Sequence, residues 1–145
     1  MAADRKATTQ WQGDLKSGNG ATTLDTSGLG GSLAVSWPSR AEEAGRQTSP
    51  EELLAAAHAT CFSMFLSKVL ADNGNVPDRL ETSAVASFSL DGGAHVSAMA
   101  LTVRGSVPGI DKAGFVRAAE AAKEGCPLSK AIAGNVEITL DAALA

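Results

Sequence analysis

The sequence predicts an α+β fold in which antiparallel sheets surround one long, buried helix. Three observations lead to this prediction. The predicted elements follow the order βββ-α-ββ-αα-β, without the regular alternation of strands and helices that a parallel sheet requires. One helical segment is longer than the others and is apolar on nearly every face. Several further segments alternate apolar and polar residues, which is typical of strands with one buried face.

The composition limits the class of protein. A chain of 145 residues predicts one domain, spanning residues 1–145, with a core of its own. Hydrophobic residues make up 44% and charged residues 19%, which is ordinary for a soluble globular protein. A net charge of -4, with no run of Lys and Arg, argues against nucleic-acid binding. The N-terminus lacks an apolar signal-peptide core, and the longest apolar stretch, 53–66, is too short for a bilayer, so we expect a cytoplasmic protein.

The N-terminal third predicts three short strands. Segment 11–15 meets a turn at 18–20, and segment 21–24 returns, which is a hairpin pattern. A third strand is expected over 32–37. The polar segment 38–48 then predicts an ordered loop.

Segment 50–73 predicts the long helix. Ser49 is a good N-cap, Glu52 completes a capping box with it, and Gly74 marks the end. At about 1.5 Å per residue the helix measures about 36 Å. Between residues 53 and 66 it is apolar on nearly every face, so it should be buried on nearly every side. One chain of this size cannot enclose such a helix, which favours burial against a second copy.

The C-terminal half predicts a second hairpin and three further elements. Segments 83–90 and 99–104 alternate apolar and polar residues on either side of a turn at 91–94. The remaining elements are, in order, a helix capped by Asp111 that ends near 124, a short helix over 127–132 and a strand over 136–141.

Cys61 and Cys126 are the only cysteines. In a reducing compartment such a pair is more often catalytic or metal-binding than structural. Cys126 is expected to be the N-cap of the helix that begins at Pro127, where unpaired N–H groups favour a thiolate. Cys61 lies in an apolar part of the long helix, where burial alone raises its pKa. Local rules therefore indicate Cys126 as the nucleophile, and Cys61 would need a cation from elsewhere. The candidates are Arg40, Arg46 and Lys68.

Glu51 adds a geometric argument for two copies of the chain. It precedes Cys61 by ten residues on the same helix, or about 15 Å along its axis, so both cannot join one site within a subunit. Two such helices packed antiparallel about a twofold axis would bring Glu51 of one copy toward Cys61 of the other. A glutamate that holds an arginine beside a thiol would tune the thiolate.

Two cysteine motifs now point to a family. Segment 49–64, Ser-Pro-Glu-Glu-Leu-Leu-Ala-Ala-Ala-His-Ala-Thr-Cys-Phe-Ser-Met, resembles the central-helix signature of the OsmC/Ohr family of thiol-dependent hydroperoxide reductases. Segment 125–130, Gly-Cys-Pro-Leu-Ser-Lys, resembles its second cysteine motif. Segments 11–18 and 107–111 are similar to further family segments, so the resemblance covers almost the whole chain. His58 and the Trp-x-Gly-Asp opening indicate the OsmC branch.

The resemblance implies an intertwined homodimer with two sites at the subunit interface. It implies that Cys61 is the peroxidatic cysteine and Cys126 the resolving one, against the local preference for Cys126. Arg40 would stabilise the Cys61 thiolate, and Glu51 would pair with Arg40. The thiolate would become a sulfenic acid and then a Cys61–Cys126 disulfide. A dithiol reductant, typically a dihydrolipoyl group on a carrier protein, would restore the thiols, with no metal, flavin or nicotinamide in the enzyme.

Two other functions remain open. One is a zinc-binding or regulatory module, although the chain has no C-x-x-C motif and few candidate ligands. Stoichiometric zinc that survives dialysis would support it. The other is a non-catalytic stress or binding protein on the same fold, which intact thiols without peroxide turnover would favour. The zinc ligands would come from His58, His95, Cys61 and Cys126.

Several residues near the cysteines also have a purely structural interpretation. His58 lies three residues before Cys61, and it is either a packed interior histidine or a group that tunes the thiolate. The large apolar residues are expected in the core, with a pocket for an alkyl hydroperoxide as the alternative. These residues are Trp37, Phe62, Met64 and Phe65.

Overall fold

The computed structural model describes all 145 residues and confirms the predicted α+β class, with six strands and four helices. The strands form two separate three-stranded sheets. By their internal contacts, residues Met1–Pro50 and Glu51–Ala145 form two compact units, each with one of the sheets. The single functional domain over residues 1–145 stays a prediction.

The smaller unit carries an antiparallel sheet of β1 (Thr8–Gln12), β2 (Asn19–Thr23) and β3 (Leu33–Ser36). The predicted hairpin is present, but β1 lies three residues earlier in the chain than predicted. The reason is Asp14, whose carboxylate accepts hydrogen bonds from the amides at 16 and 17, both at 2.9 Å. An Asp that binds the amides following it favours a turn over a strand.

The segment after β3 corrects one prediction, because the loop expected over 38–48 begins with a short helix, α1 (Trp37–Ala41). Ser36 caps this helix: its hydroxyl accepts from the amide of Ser39 at 3.3 Å, and the Ser39 hydroxyl accepts from the amide of Ser36 at 3.0 Å. A proline in the first turn is compatible with a helix start. The serine pair at this spacing was the overlooked signal.

The larger unit carries the second sheet, in which β4 (Arg79–Ser89) and β5 (His95–Ser106) form the predicted antiparallel hairpin. The expectation of purely antiparallel sheets is wrong for the last strand, β6 (Glu137–Leu144), which pairs parallel to β5. A parallel pair needs a long crossover connection. The helices α3 (Lys112–Gly125) and α4 (Pro127–Ile132) provide it.

The long helix, α2 (Pro50–Asp72), ends one residue earlier than predicted, and Gly74 follows with a φ of 85°. From His58 to Leu70 its buried residues recur every four positions along one side, so one chain alone does not bury the helix on nearly every side. The expected burial against a second copy stays a prediction. On the other side Met64 is 71% exposed. By length and composition α2 could also cross a membrane, a test that core helices of soluble proteins pass as well. The buried residues are Glu51, His58, Phe62, Leu66 and Leu70.

The core of the larger unit lies where α2, β5 and α3 meet. Leu66 of α2, Leu101 of β5 and Phe115 of α3 are at most 1% exposed and belong to one cluster. Cys126 is 0% exposed and belongs to the same cluster, while Cys61 packs against its edge. The core therefore fixes the helices that carry both cysteines.

Candidate active site

The structure brings the two cysteines together. The Sγ atoms of Cys61 and Cys126 are 3.2 Å apart, although the residues are 65 positions apart in sequence. Both thiols are free. Because a disulfide has an S–S length of about 2.0 Å, bond formation needs a movement of only about 1.2 Å.

Cys126 is held at the junction of two helices. Its amide donates to the carbonyl of Ala122 at 2.9 Å and closes α3, and the same residue is the predicted N-cap of α4. Gly125 precedes it, and a Cβ added there would lie 2.4 Å from Cε1 of Phe65 on α2. The absence of a side chain at position 125 thus lets the Phe65 ring approach the junction and sets the distance between the cysteine-bearing helices.

The first free amide at the start of α4 acts on Cys61, whereas local rules expect the helix start to act on Cys126. Cys126 makes no side-chain capping bond. Pro127 has no N–H, so Leu128 supplies the first free amide of α4. That amide donates to the sulfur of Cys61, which favours its thiolate. A proline directly after an N-cap cysteine was the sequence signal for this contact.

The pKa of Cys61 is raised above its ordinary value. Burial is the largest cause, and the neighbouring Cys126 acts in the same direction, while the Leu128 amide opposes them. Two adjacent thiolates repel each other, so the pair disfavours double ionisation. This rise in the pKa agrees with the expectation from the sequence that Cys61 needs a cation from elsewhere in order to react.

His58 and Ser129 form a buried polar contact beside the cysteines. The Nε2 atom of His58 and the Oγ atom of Ser129 are 2.8 Å apart, and the residues are 0% and 3% exposed. The Nδ1 atom of His58 is buried without a hydrogen-bond partner. Burial lowers the pKa of His58 below its ordinary value of 6.5, so the imidazole is neutral at pH 7. Sequence gave no reason to single out Ser129.

The charged residues considered as partners of the Cys61 thiolate lie on different elements. Arg40 is half-buried in the last turn of α1, and Arg46 is exposed in the following loop. Lys68 is exposed and forms an ion pair with Asp72, which directs it to the surface. Glu51 is buried in the first turn of α2, at 6% exposure. The roles assigned to Arg40 and Glu51 stay predictions.

The structure contains no cluster of candidate ligands that would support the metal-binding alternative. No group of three or more His, Cys, Asp and Glu side chains is placed to hold a metal ion. His95 is exposed, and its Nδ1 atom lies 2.8 Å from the carbonyl oxygen of Gly93. Of the apolar candidates, Phe62 belongs to the core and Met64 is exposed.

A cavity of about 510 Å³ in the larger unit lies at the C-terminal end of α2 and the start of α3. Val69, Asn75 and Arg117 line it, and neither cysteine does. It includes residues of the 107–111 motif that the sequence resemblance singled out, but it is not part of the thiol site.

Comparisons with known sequences point to one family. The family described as OsmC-like protein matches residues 43–141. The chain is 38% identical over 142 residues to peroxiredoxin OsmC of Escherichia coli strain K12, covering 97% of this chain and 96% of that protein. It is 35% identical over 98 residues to an organic hydroperoxide resistance protein of Xanthomonas axonopodis pv. citri, covering 66% and 67% of the two chains.

Solved structures share the fold. The organic hydroperoxide resistance protein OhrB of Bacillus subtilis superposes with a TM-score of 0.74 at 28% identity, covering 94% of this chain and 97% of that one. An organic hydroperoxide resistance protein of Elizabethkingia anophelis gives a TM-score of 0.76 at 22% identity, with both chains fully covered. The second similarity concerns the fold alone.

Proposed function

The chain belongs to the OsmC-like protein family, and from this premise we propose that it is a cysteine-based peroxidase that reduces organic hydroperoxides. The observation that carries the proposal is the pair of free thiols 3.2 Å apart. The names of the relatives, peroxiredoxin and organic hydroperoxide resistance protein, support the substrate class. We propose hydrogen peroxide as a second substrate of the same chemistry.

Cys61 is the proposed peroxidatic cysteine and Cys126 the resolving one. Two observations support this assignment over the reverse. Cys61 is partly accessible and receives the amide N–H of Leu128, whereas Cys126 is 0% exposed. A peroxide must reach the sulfur that it oxidises, and a thiolate needs a hydrogen-bond donor, so Cys61 suits the first step better.

The proposed reaction has three steps. The Cys61 thiolate attacks one peroxide oxygen, so that an S–O bond forms, the O–O bond breaks, and the alkoxide leaves as an alcohol after taking up a proton. The Cys126 sulfur then attacks the Cys61 sulfenic acid, forming the S–S bond and releasing water with the proton of Cys126. A dithiol reductant, for which the family resemblance suggests a dihydrolipoyl group, restores both thiols by exchange and is itself oxidised to a disulfide.

Activation of Cys61 is assigned to Arg40, with Glu51 as its orienting partner. Burial raises the pKa of Cys61, and one neutral amide donor opposes this only in part, so the mechanism calls for a fixed positive charge. Arg46 is the alternative source of that charge. Because Glu51 is about 15 Å from Cys61 along α2, it would act on the site of a second copy.

We also propose a homodimer, which the exposed side of α2 supports. Ala56, Ala57 and Met64 are exposed on a helix that is apolar through most of its length. A second copy of the same helix would cover these residues. We further propose that the protein acts in the cytoplasm, without a nucleic-acid partner.

The test is turnover of an organic hydroperoxide with a dithiol reductant in the wild-type protein and two variants. Cys61→Ser should abolish consumption, by at least about 100-fold, because it removes the attacking sulfur. Cys126→Ser should still form a sulfenic acid at Cys61 but should not form the internal disulfide. Sulfenic acid at Cys126 in the Cys61→Ser protein would reverse the assignment, and wild-type protein without turnover would contradict the proposed function.

A further inference from the structure

The contact between His58 and Ser129 is a buried polar link between the two cysteine-bearing segments. It joins α2 to α4 across 71 residues of sequence with an N–O distance of 2.8 Å. Its surroundings on α2 are apolar, since the next buried residues along the same side are Phe62 and Leu66. Leaving a buried hydrogen bond unmade costs more free energy than making it contributes, so the link strongly prefers one arrangement of the two helices.

The link lies one helical turn from each thiol. His58 precedes Cys61 by three residues on α2, and Ser129 follows Cys126 by three residues at the start of α4. Residues at this spacing share one side of a helix. Ser129 also directly follows Leu128, whose amide donates to the Cys61 sulfur. Fixing Ser129 therefore also fixes the positions of the Leu128 amide and of Cys126 relative to Cys61.

We propose that His58 and Ser129 are positioning residues, whose hydrogen bond holds the start of α4 against α2 and keeps Cys126 within bonding distance of Cys61. This inference deepens the proposed function and rests on it for the role of the disulfide in turnover. A helix of six residues has little apolar surface of its own to hold it in place. The Cys61–Cys126 disulfide would restrain the start of α4, where Ser129 lies, and so strengthen the link, and by thermodynamic reciprocity the link favours the disulfide to the same extent.

The protonation state of His58 suits this role. If Nε2 carries the proton, it donates to the Ser129 hydroxyl and leaves Nδ1 as an unpaired acceptor. The other tautomer would bury an unpaired N–H, which proteins tolerate less well. The geometry therefore assigns the proton to Nε2. Burial also lowers the pKa of His58, which favours the neutral imidazole that this link requires.

The test measures the equilibrium of the Cys61–Cys126 disulfide in glutathione redox buffers at 25 °C, which requires no peroxide. Ser129→Ala should lower the equilibrium constant for disulfide formation about tenfold, or about 30 mV for this two-electron couple. Ser129→Thr retains the hydroxyl and should stay within about threefold of the wild type. His95→Gln is the matched control, because His95 is exposed, and it should change nothing.

A double variant separates positioning from folding. His58→Leu with Ser129→Ala removes the link without leaving an unpaired polar group in the core, so it should fold, which far-UV circular dichroism checks. We expect the same tenfold loss in the double variant. An unchanged equilibrium constant in the folded single or double variant would overturn the proposal, even if thermal stability falls. A wild-type protein that forms the disulfide but does not consume hydroperoxide would refute the proposed function alone.

Discussion

Around Cys61 the chemistry depends on opposed electrostatic effects of neighbouring groups. Burial and the adjacent Cys126 raise its pKa, and the Leu128 amide acts in the opposite direction. A neutral dipole donor stabilises a buried thiolate less than a full positive charge does, which is why an arginine is assigned to the site. In the proposed mechanism, Cys61 would become reactive only when that arginine is in place.

His58 leads to a prediction for the pH dependence of stability. Its pKa in the folded protein lies below the ordinary value of 6.5, so the unfolded chain binds more protons below that pH. The contribution of His58 is therefore complete above pH 6.5 and is lost as the pH falls from there, by at most about 1.4 kcal/mol per pH unit. Urea unfolding between pH 7 and pH 5 measures it.

A variant isolates this contribution. His58→Leu should flatten the fall in the free energy of unfolding over this pH range, while His95→Gln should retain the wild-type slope because His95 is exposed. Equal slopes in the wild type and His58→Leu would contradict the buried, neutral state of His58.

The sequence predicts some properties of individual side chains correctly and others incorrectly. It identified both cysteines from their motifs and anticipated the raised pKa of Cys61, because burial within an apolar helix is visible in the sequence. It assigned the helix-terminus amide to Cys126, the nearest residue along the chain, but the amide donates to Cys61. The recipient of a hydrogen bond depends on the packing of two helices 65 residues apart, which local rules do not describe.

Among the helices and strands, those with strong end signals were predicted well. Capping residues, Gly74 and the Cys126–Pro127 step placed α2 and α4 within a residue of their observed ends. The errors fell on β1, which lies three residues earlier than predicted, on α1, whose serine capping pair is short and local, and on β6. The direction of β6 depends on how α3 and α4 cross the sheet, which period-2 patterning in the strand does not specify.

The contact between Gly125 and Phe65 predicts the effect of one added methyl group. In Gly125→Ala the new Cβ would meet the Phe65 ring at 2.4 Å, so the ring or the start of α4 must move. We expect a loss of about 1–3 kcal/mol in the free energy of unfolding from overpacking, and slower disulfide formation. A double variant that also carries Phe65→Leu should recover part of the lost stability and part of the lost rate of disulfide formation. A Gly125→Ala protein as stable as the wild type would show that the close contact does not constrain the helices.

For the whole molecule, one chain leaves α2 covered on one side only. The exposed residues on its other side, Met64 among them, explain why the sequence predicted more burial than one chain provides. Apolar residues occur on each face of a helix that is buried in the native protein, whether the same chain or another subunit covers that face. The proposed homodimer would reconcile this apolar pattern with the structure of the single chain.

Glu51 leads to a prediction about the assembled protein. In Glu51→Gln the side chain retains its shape but loses the charge that would orient Arg40 across the dimer interface. We expect peroxide consumption to fall at least about tenfold, while the dimer measured by light scattering stays intact. Glu52→Gln is the matched control, because Glu52 is the exposed neighbour on the same turn. Unchanged turnover in Glu51→Gln would remove Glu51 from the mechanism.

The central claim is that Cys61 and Cys126 form the redox pair of a peroxidase. Thiol titration of the reduced wild-type protein, before and after one equivalent of tert-butyl hydroperoxide, tests it most directly when combined with peptide mass mapping. We predict that both free thiols disappear and that a peptide containing Cys61 becomes linked to one containing Cys126. Two free thiols remaining after treatment would contradict the claim, and the family fold would then serve a different function in this chain.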